Sequence, residues 1–155
     1  MLICLLMALL SGQHPSTLAH RGETVMGFDL DATEHHFYLY PDGGAIDVRI
    51  KDTKAAKDTK DLDAIRAHLS HIATMFGNGD FEAPMLVHDT KDVPGIDVLS
   101  ARRDRVRYRY TETPAGGRVD VTTADAEARA ALHDFLRYQI REHRTGDTTA
   151  VTQKQ

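Results

Sequence analysis

Histidine and methionine residues that could bind a metal ion recur along this chain. The whole chain holds nine histidines and one cysteine. His68 and His71 lie three residues apart in a predicted helix, so their imidazoles share one face. His35 lies in a predicted strand, and Met85 and His88 lie in a predicted short extended segment. Imidazole and thioether donors suit copper, or zinc with carboxylate support. We therefore predict a copper or zinc site formed by some of these five residues. A small molecule bound in place of the metal ion stays open as an alternative.

Two other uses of the histidines remain open beside this leading hypothesis of a non-enzymatic binding protein. The first is a small hydrolase-like or other enzyme, in which one histidine in a deep pocket between the connector and the first long helix, beside a carboxylate, acts as a general base. The second is a structural or protein-interaction module. Its histidines would border the core, and each would form its own hydrogen bonds away from the others. Imidazoles with a pKa near 6.5 could also sense pH. Ring nitrogens able to come within about 2.0–2.2 Å of a common point would favour the metal site.

Sequence motifs for several other chemistries are absent. The chain has no H-E-x-x-H, no G-x-S-x-G, no P-loop and no G-x-G-x-x-G, so no nucleotide cofactor is expected. The net charge of -4 argues against attraction to nucleic acid or anionic membranes. Arg107 and Arg109 alternate with Tyr108 and Tyr110, which separates arginines and aromatic rings onto opposite faces of a strand. A nucleic-acid platform needs both on one face, and we expect no nucleic-acid partner.

The first nineteen residues differ in composition from the rest of the chain. Met1–Leu10 is almost wholly apolar, and no charged residue precedes Arg21. An apolar run of this length is too short to cross a bilayer of about 30 Å and is typical of a signal peptide. We predict a signal peptide over residues 1–19, with cleavage after Ala19 and loss of the only cysteine. The mature protein is then periplasmic or secreted, without a membrane segment.

The same structural pattern occurs twice, and it predicts the architecture that must position these side chains. Alternating apolar residues flank Asp42-Gly43-Gly44 in the first copy and Ala115-Gly116-Gly117 in the second, which is typical of β-hairpins. An amphipathic helix follows each hairpin, and His68 and His133 lie at similar points on the two helices. The inner stripe of the first helix is Ile65, Leu69, Ile72 and Phe76, and that of the second is Ala128, Leu132, Phe135, Leu136 and Gln139. We predict one α+β domain over residues 20–147, a four-stranded antiparallel sheet from two strand–turn–strand–helix repeats with both long helices packed on one face. Residues 148–155 are predicted to be a disordered tail, and the oligomeric state stays open.

Several motifs resemble those of a family of small exported bacterial proteins of uncharacterised function. They are His35-His36-Phe37, Asp42-Gly43-Gly44-Ala45-Ile46, Ala64-Ile65-Arg66-Ala67-His68-Leu69, Gly79-Asp80-Phe81, Pro84-Met85, His133-Asp134-Phe135-Leu136 and Gln139-Ile140-Arg141-Glu142-His143. Members sometimes carry the label aspartate carbamoyltransferase. The chain lacks the S-T-R-T-R and H-P-x-Q segments of true transcarbamoylases, so that activity is not expected. The resemblance implies export and a single domain, and it assigns no catalytic residue.

Overall fold

The structure is a computed structural model that describes residues 17–51 and 59–154. Most of the predicted signal peptide, including Cys4, lies outside these residues. The first described helix, α1 (Thr17–Met26), begins before the predicted cleavage point and continues past it. None of the helices in the described ranges is long and apolar enough to cross a membrane.

The described elements form one α+β unit. They follow in the order α1, β1 (Thr33–Tyr40), β2 (Gly43–Ile50), α2 (Thr59–Gly77), α3 (Glu82–His88), α4 (Ile96–Ala101), a 3₁₀ turn (Arg103–Arg105), β3 (Val106–Thr113), β4 (Gly116–Thr123) and α5 (Ala126–His143). The strands form a four-stranded antiparallel sheet in the order β1-β2-β4-β3. Helix α2 packs mainly on β3 and β4, and α5 packs mainly on β1 and β2. The predicted fold of two strand–turn–strand–helix repeats is confirmed.

The two hairpins join through their second strands, and a pair of equivalent glycines makes this possible. Gly43 begins β2 and Gly116 begins β4. A Cβ atom on Gly43 would collide with the backbone oxygen of Val121, and one on Gly116 would collide with that of Val48. The repeated glycines therefore allow β2 and β4 to approach closely.

The apolar faces of α2 and α5 form the core above the sheet. The predicted stripe of α2, which consists of Ile65, Leu69, Ile72 and Phe76, is buried along its length. Phe76 meets Phe135 of α5 edge to face, with ring centroids 5.9 Å apart. Full burial of a side chain of this size contributes about 1.5–3 kcal/mol. This packing fixes the positions of the histidines that the same two helices carry.

The connector between the repeats contains helix α3 where the sequence predicted an extended segment. Pro84 lies in the first turn, where its missing N–H is not needed by the helix. The Glu82 backbone N–H donates to the Asp80 carboxylate at 2.9 Å, which supports the start of the helix. The helix ends where Asp89 adopts a left-handed conformation with φ 52°. His88 is therefore the last residue of α3.

The segment that follows α5 lies along the edge strand β1. The Phe37 backbone N–H donates to Asp147 Oδ2 at 2.9 Å. The Thr152 backbone N–H donates to the Leu39 carbonyl oxygen at 2.9 Å. Within residues 148–155, which the sequence predicts to be a disordered tail, Thr152 thus has a backbone hydrogen-bond partner on β1.

Candidate functional site

Four histidine side chains meet at one internal cavity between the sheet and the helices. The cavity has a volume of about 60 Å³. Its polar lining residues are His35, His68, His88, Gln139 and His143, and its other lining residues are apolar. The structure therefore brings together three of the five predicted metal ligands and adds a fourth histidine.

Each of the four imidazoles comes from a different element. His35 lies on the inner face of β1, the face that also carries buried Phe37. His68 borders the buried stripe of α2, and His88 and His143 are the last residues of α3 and α5. The site is assembled from residues that are far apart in the sequence, and the packing of these four elements determines its shape.

The rings form a continuous chain of contacts. His143 stacks on His35 with centroids 5.3 Å apart and planes 18° apart, and it meets His88 edge to face at 5.2 Å. Phe28 contacts the other side of this group, 5.9 Å from His35 and 5.7 Å from His68. The four imidazoles and Phe28 thus form one packed cluster, in which moving one ring requires its neighbours to adjust.

Two imidazole nitrogens in this cluster are buried without a partner. His88 Nε2 lies 3.0 Å from Gln139 Oε1, and because an amide oxygen can only accept, Nε2 carries the proton. His88 Nδ1 then has a free lone pair, and it is buried with no hydrogen-bond partner among the described residues. His35 Nε2 is likewise buried without a partner in the described part of the chain, and so is Gln139 Nε2, an amide nitrogen that can only donate. Leaving a buried polar atom unpaired costs about 1–3 kcal/mol, so the cavity favours a ligand that binds the two imidazole nitrogens.

Burial keeps the cavity imidazoles neutral. It lowers the pKa of His35 to about 3, with the neighbouring imidazole of His143 as the next cause. Burial also lowers the pKa of His68 and of His143 to about 4. The pKa of His88 is lowered by burial too, while its hydrogen bond to Gln139 acts in the opposite direction. A neutral imidazole is the form that binds a metal, so these rings need no deprotonation at neutral pH.

Two of the predicted ligands lie away from the cavity. His71 is exposed on α2, and Met85 is partly buried in α3, where it packs against the core without lining the cavity. Across the residues that the structure describes, no group of three or more His, Cys, Asp or Glu side chains is arranged to hold a metal ion. Binding an ion at this cavity would therefore require the imidazoles to turn.

The sequence prediction of the site did not include His143, Gln139 or Met26, all of which line the cavity. Gln139 belongs to the predicted inner stripe of α5, and His143 lies four residues later on the same face. That spacing could have identified His143. Met26 could not have been found in this way, because its position depends on how α1 packs on α3, where Arg21 Nε donates to the Val87 carbonyl oxygen at 3.0 Å.

One histidine outside the cavity has a structural role. His133, the counterpart of His68 in the second repeat, donates from Nε2 to the carbonyl oxygens of Tyr40 and Gly43, at 3.0 Å and 2.9 Å. These contacts attach α5 to the turn of the first hairpin. The equivalent positions in the two repeats thus serve different purposes.

A larger polar cleft of about 540 Å³ borders the same histidine cluster, and His35 and His143 line both spaces. His36, which also lines the cleft, donates from Nδ1 to Asp147 Oδ1 at 2.9 Å. Its Nε2 lies 2.9 Å from Arg49 Nη2. The stacked pair of His35 and His143 therefore lies between a polar cleft and the apolar cavity.

Comparisons with models of known protein families, with curated proteins and with solved structures find no match to this chain. No relative therefore supplies a function for the protein. The chemistry of the cavity has to support any proposal.

Proposed function

We propose that this protein is a non-enzymatic binding protein that holds a transition-metal ion at the histidine-lined cavity. The ligands come from His35, His68, His88 and His143. The observation that carries the proposal is that His35 Nε2 and His88 Nδ1 are buried at the same cavity without hydrogen-bond partners in the described part of the chain. A bound ion would take the lone pair of His88 Nδ1 and, with the His35 proton on Nδ1, that of His35 Nε2. The proposal includes action after export, because Met1–Leu10 is typical of a signal peptide.

The size of the cavity favours an ion over an organic ligand. A cavity of about 150 Å³ accommodates benzene, whereas this one measures about 60 Å³. A metal ion with nitrogen ligands at about 2.0–2.1 Å needs less space than an aromatic ligand. The imidazoles are neutral, as metal ligands must be, and rotation of their side chains would bring the nitrogens to the ion.

The proposal is tested by metal binding to the untagged chain carrying Cys4→Ser, so that no thiol competes. We expect the protein to retain copper or zinc, and its melting temperature to rise when either ion is added, because a ligand that binds only the native state stabilises it. His88→Gln should remove most of the shift. His71→Gln is the control, since His71 is exposed and does not line the cavity. Absence of retained metal and of any thermal shift would refute the proposal.

A second candidate function is acid–base catalysis by His36. The Asp147 carboxylate orients this imidazole, and the imidazole lines the polar cleft. The contact between His36 Nε2 and Arg49 argues against it, because a general base needs that nitrogen free to receive a proton. If a His36→Gln variant retains as much metal as the unchanged protein, His36 and the polar cleft take no part in metal binding at the cavity.

A further inference from the structure

We infer that the ion bound at the cavity is Cu(I), held by His35 Nε2, His88 Nδ1 and the thioether sulfur of Met26. This inference rests on the proposed function. It adds the identity of the ion and a third ligand, Met26, to the histidines. Met26, the last residue of α1, is buried with 8% of its surface exposed and lines the cavity with the histidines.

The charge of the cavity favours a monovalent ion. No Asp, Glu or Cys is among the described residues that line it. The carboxylates of Glu34 and Glu142 line the polar cleft instead. The free energy of transferring an ion from water into apolar surroundings rises with the square of its charge. A divalent ion without anionic ligands is therefore about four times as costly to bury as a monovalent ion of equal size.

The donor atoms also favour Cu(I) over zinc. A thioether is a soft ligand of the kind that selects Cu(I), whereas structural zinc is bound by thiolates, imidazoles and carboxylates. Zinc almost always takes four ligands, and Cu(I) is satisfied by fewer. Two unpaired imidazole nitrogens and one thioether provide a site of low coordination number.

Gln139 prepares one of these ligands. Its Oε1 accepts a hydrogen bond from His88 Nε2 at 3.0 Å, so the His88 proton is on Nε2 and Nδ1 is unprotonated. Gln139 is itself 4% exposed, so water does not readily replace this contact. A hydrogen bond to the far nitrogen of a ligating imidazole is the usual means of fixing its tautomer and orientation.

The test compares the affinities of Cu(I) and Zn(II) for the full chain carrying Cys4→Ser. Cu(I) is supplied anaerobically and measured by competition with a chromophoric Cu(I) chelator, and Zn(II) is measured with a fluorescent zinc indicator. Met26→Leu conserves side-chain volume and should not prevent folding. We expect it to weaken Cu(I) binding at least about tenfold and to leave Zn(II) binding unchanged.

The matched control is Met85→Leu, because Met85 is partly buried nearby and does not line the cavity. We expect no change in either affinity. X-ray absorption of the Cu(I)-loaded protein should show a sulfur neighbour that Met26→Leu removes. If Zn(II) binds more tightly than Cu(I), or if Met26→Leu alters neither copper affinity nor the sulfur signal, the inference fails while the proposed function stands. If neither ion binds, both fail.

Discussion

Burial keeps the cavity histidines neutral at pH values where an imidazole in water is protonated. His35, His68 and His143 would be half protonated near pH 6.5 in water, yet burial lowers their pKa values to about 3, 4 and 4. Neutral rings keep a lone pair available for a ligand. The same burial links the protonation of these rings to the stability of the fold.

This linkage predicts that the protein loses stability as the pH falls below about 6.5. The pKa of each ring is lower in the folded chain than in the unfolded chain, so the unfolded state binds more protons between the two values. The free energy of unfolding is therefore highest above about pH 6.5 and decreases by up to about 1.4 kcal/mol per pH unit for each ring. Urea unfolding of the metal-free protein between about pH 7 and pH 4.5 measures this slope.

Replacing a single histidine checks the cause of this pH dependence. His68→Gln should make the slope shallower, because one buried titrating ring is removed. His71→Gln should change the slope much less, because His71 is exposed and burial is a larger cause of the lowered His68 pKa than the charge of His71. A free energy of unfolding that does not change over this pH range would contradict the burial of neutral imidazoles.

Among the elements, the two hairpins were the easiest to predict from sequence and the connector was the hardest. Period-two alternation beside a Gly-Gly pair identifies a hairpin locally, and the observed strands agree with it. Helix α3 has only seven residues, too few to show a helical period, and its proline argued for an irregular segment. Its contacts with α1, which include the bond from Arg21 to Val87, involve residues far away in the sequence.

The close approach of β2 and β4 predicts that Gly116→Ala destabilises the protein by about 1–3 kcal/mol, as overpacking usually does. The added methyl group would meet the backbone of Val48 and Arg49, which cannot move without disturbing the sheet. Gly77→Ala is the control, because a Cβ atom there meets nothing within 4 Å. We expect it to be neutral or stabilising, since alanine favours helix. Equal losses of unfolding free energy for both variants would contradict this account.

At the scale of the whole molecule, the C-terminal segment extends the contacts of the edge strand. Thr152 donates to the Leu39 carbonyl oxygen at 2.9 Å, and Lys154 forms an exposed ion pair with Asp42 at 2.8 Å. An unpaired edge strand presents free backbone groups that favour aggregation. We therefore assign this segment the role of covering part of the free edge of β1.

Truncation after Asp147 tests that role. It keeps the contacts of Asp147 and removes the bond to Leu39, so we expect the free energy of unfolding to fall by about 1–2 kcal/mol. Lys154→Ala is the control, and we expect it to lower stability by less than about 1 kcal/mol because the ion pair is exposed. Unchanged stability on truncation, together with rapid hydrogen exchange at the Thr152 amide, would instead support the sequence prediction of a disordered tail.

The sequence by itself determined the repeated hairpins, the buried stripe of α2 and the antiparallel sheet, because alternation, helical period and glycine turns act over a few neighbouring residues. It also provided histidines as candidate ligands, including His35, His68 and His88. Only the tertiary structure decided that these three meet His143 and Met26 at one cavity, while His71 and Met85 stay outside it. That selection depends on how α1 packs on α3 and how α5 packs on the sheet, and on burial, which no local pattern in the sequence encodes.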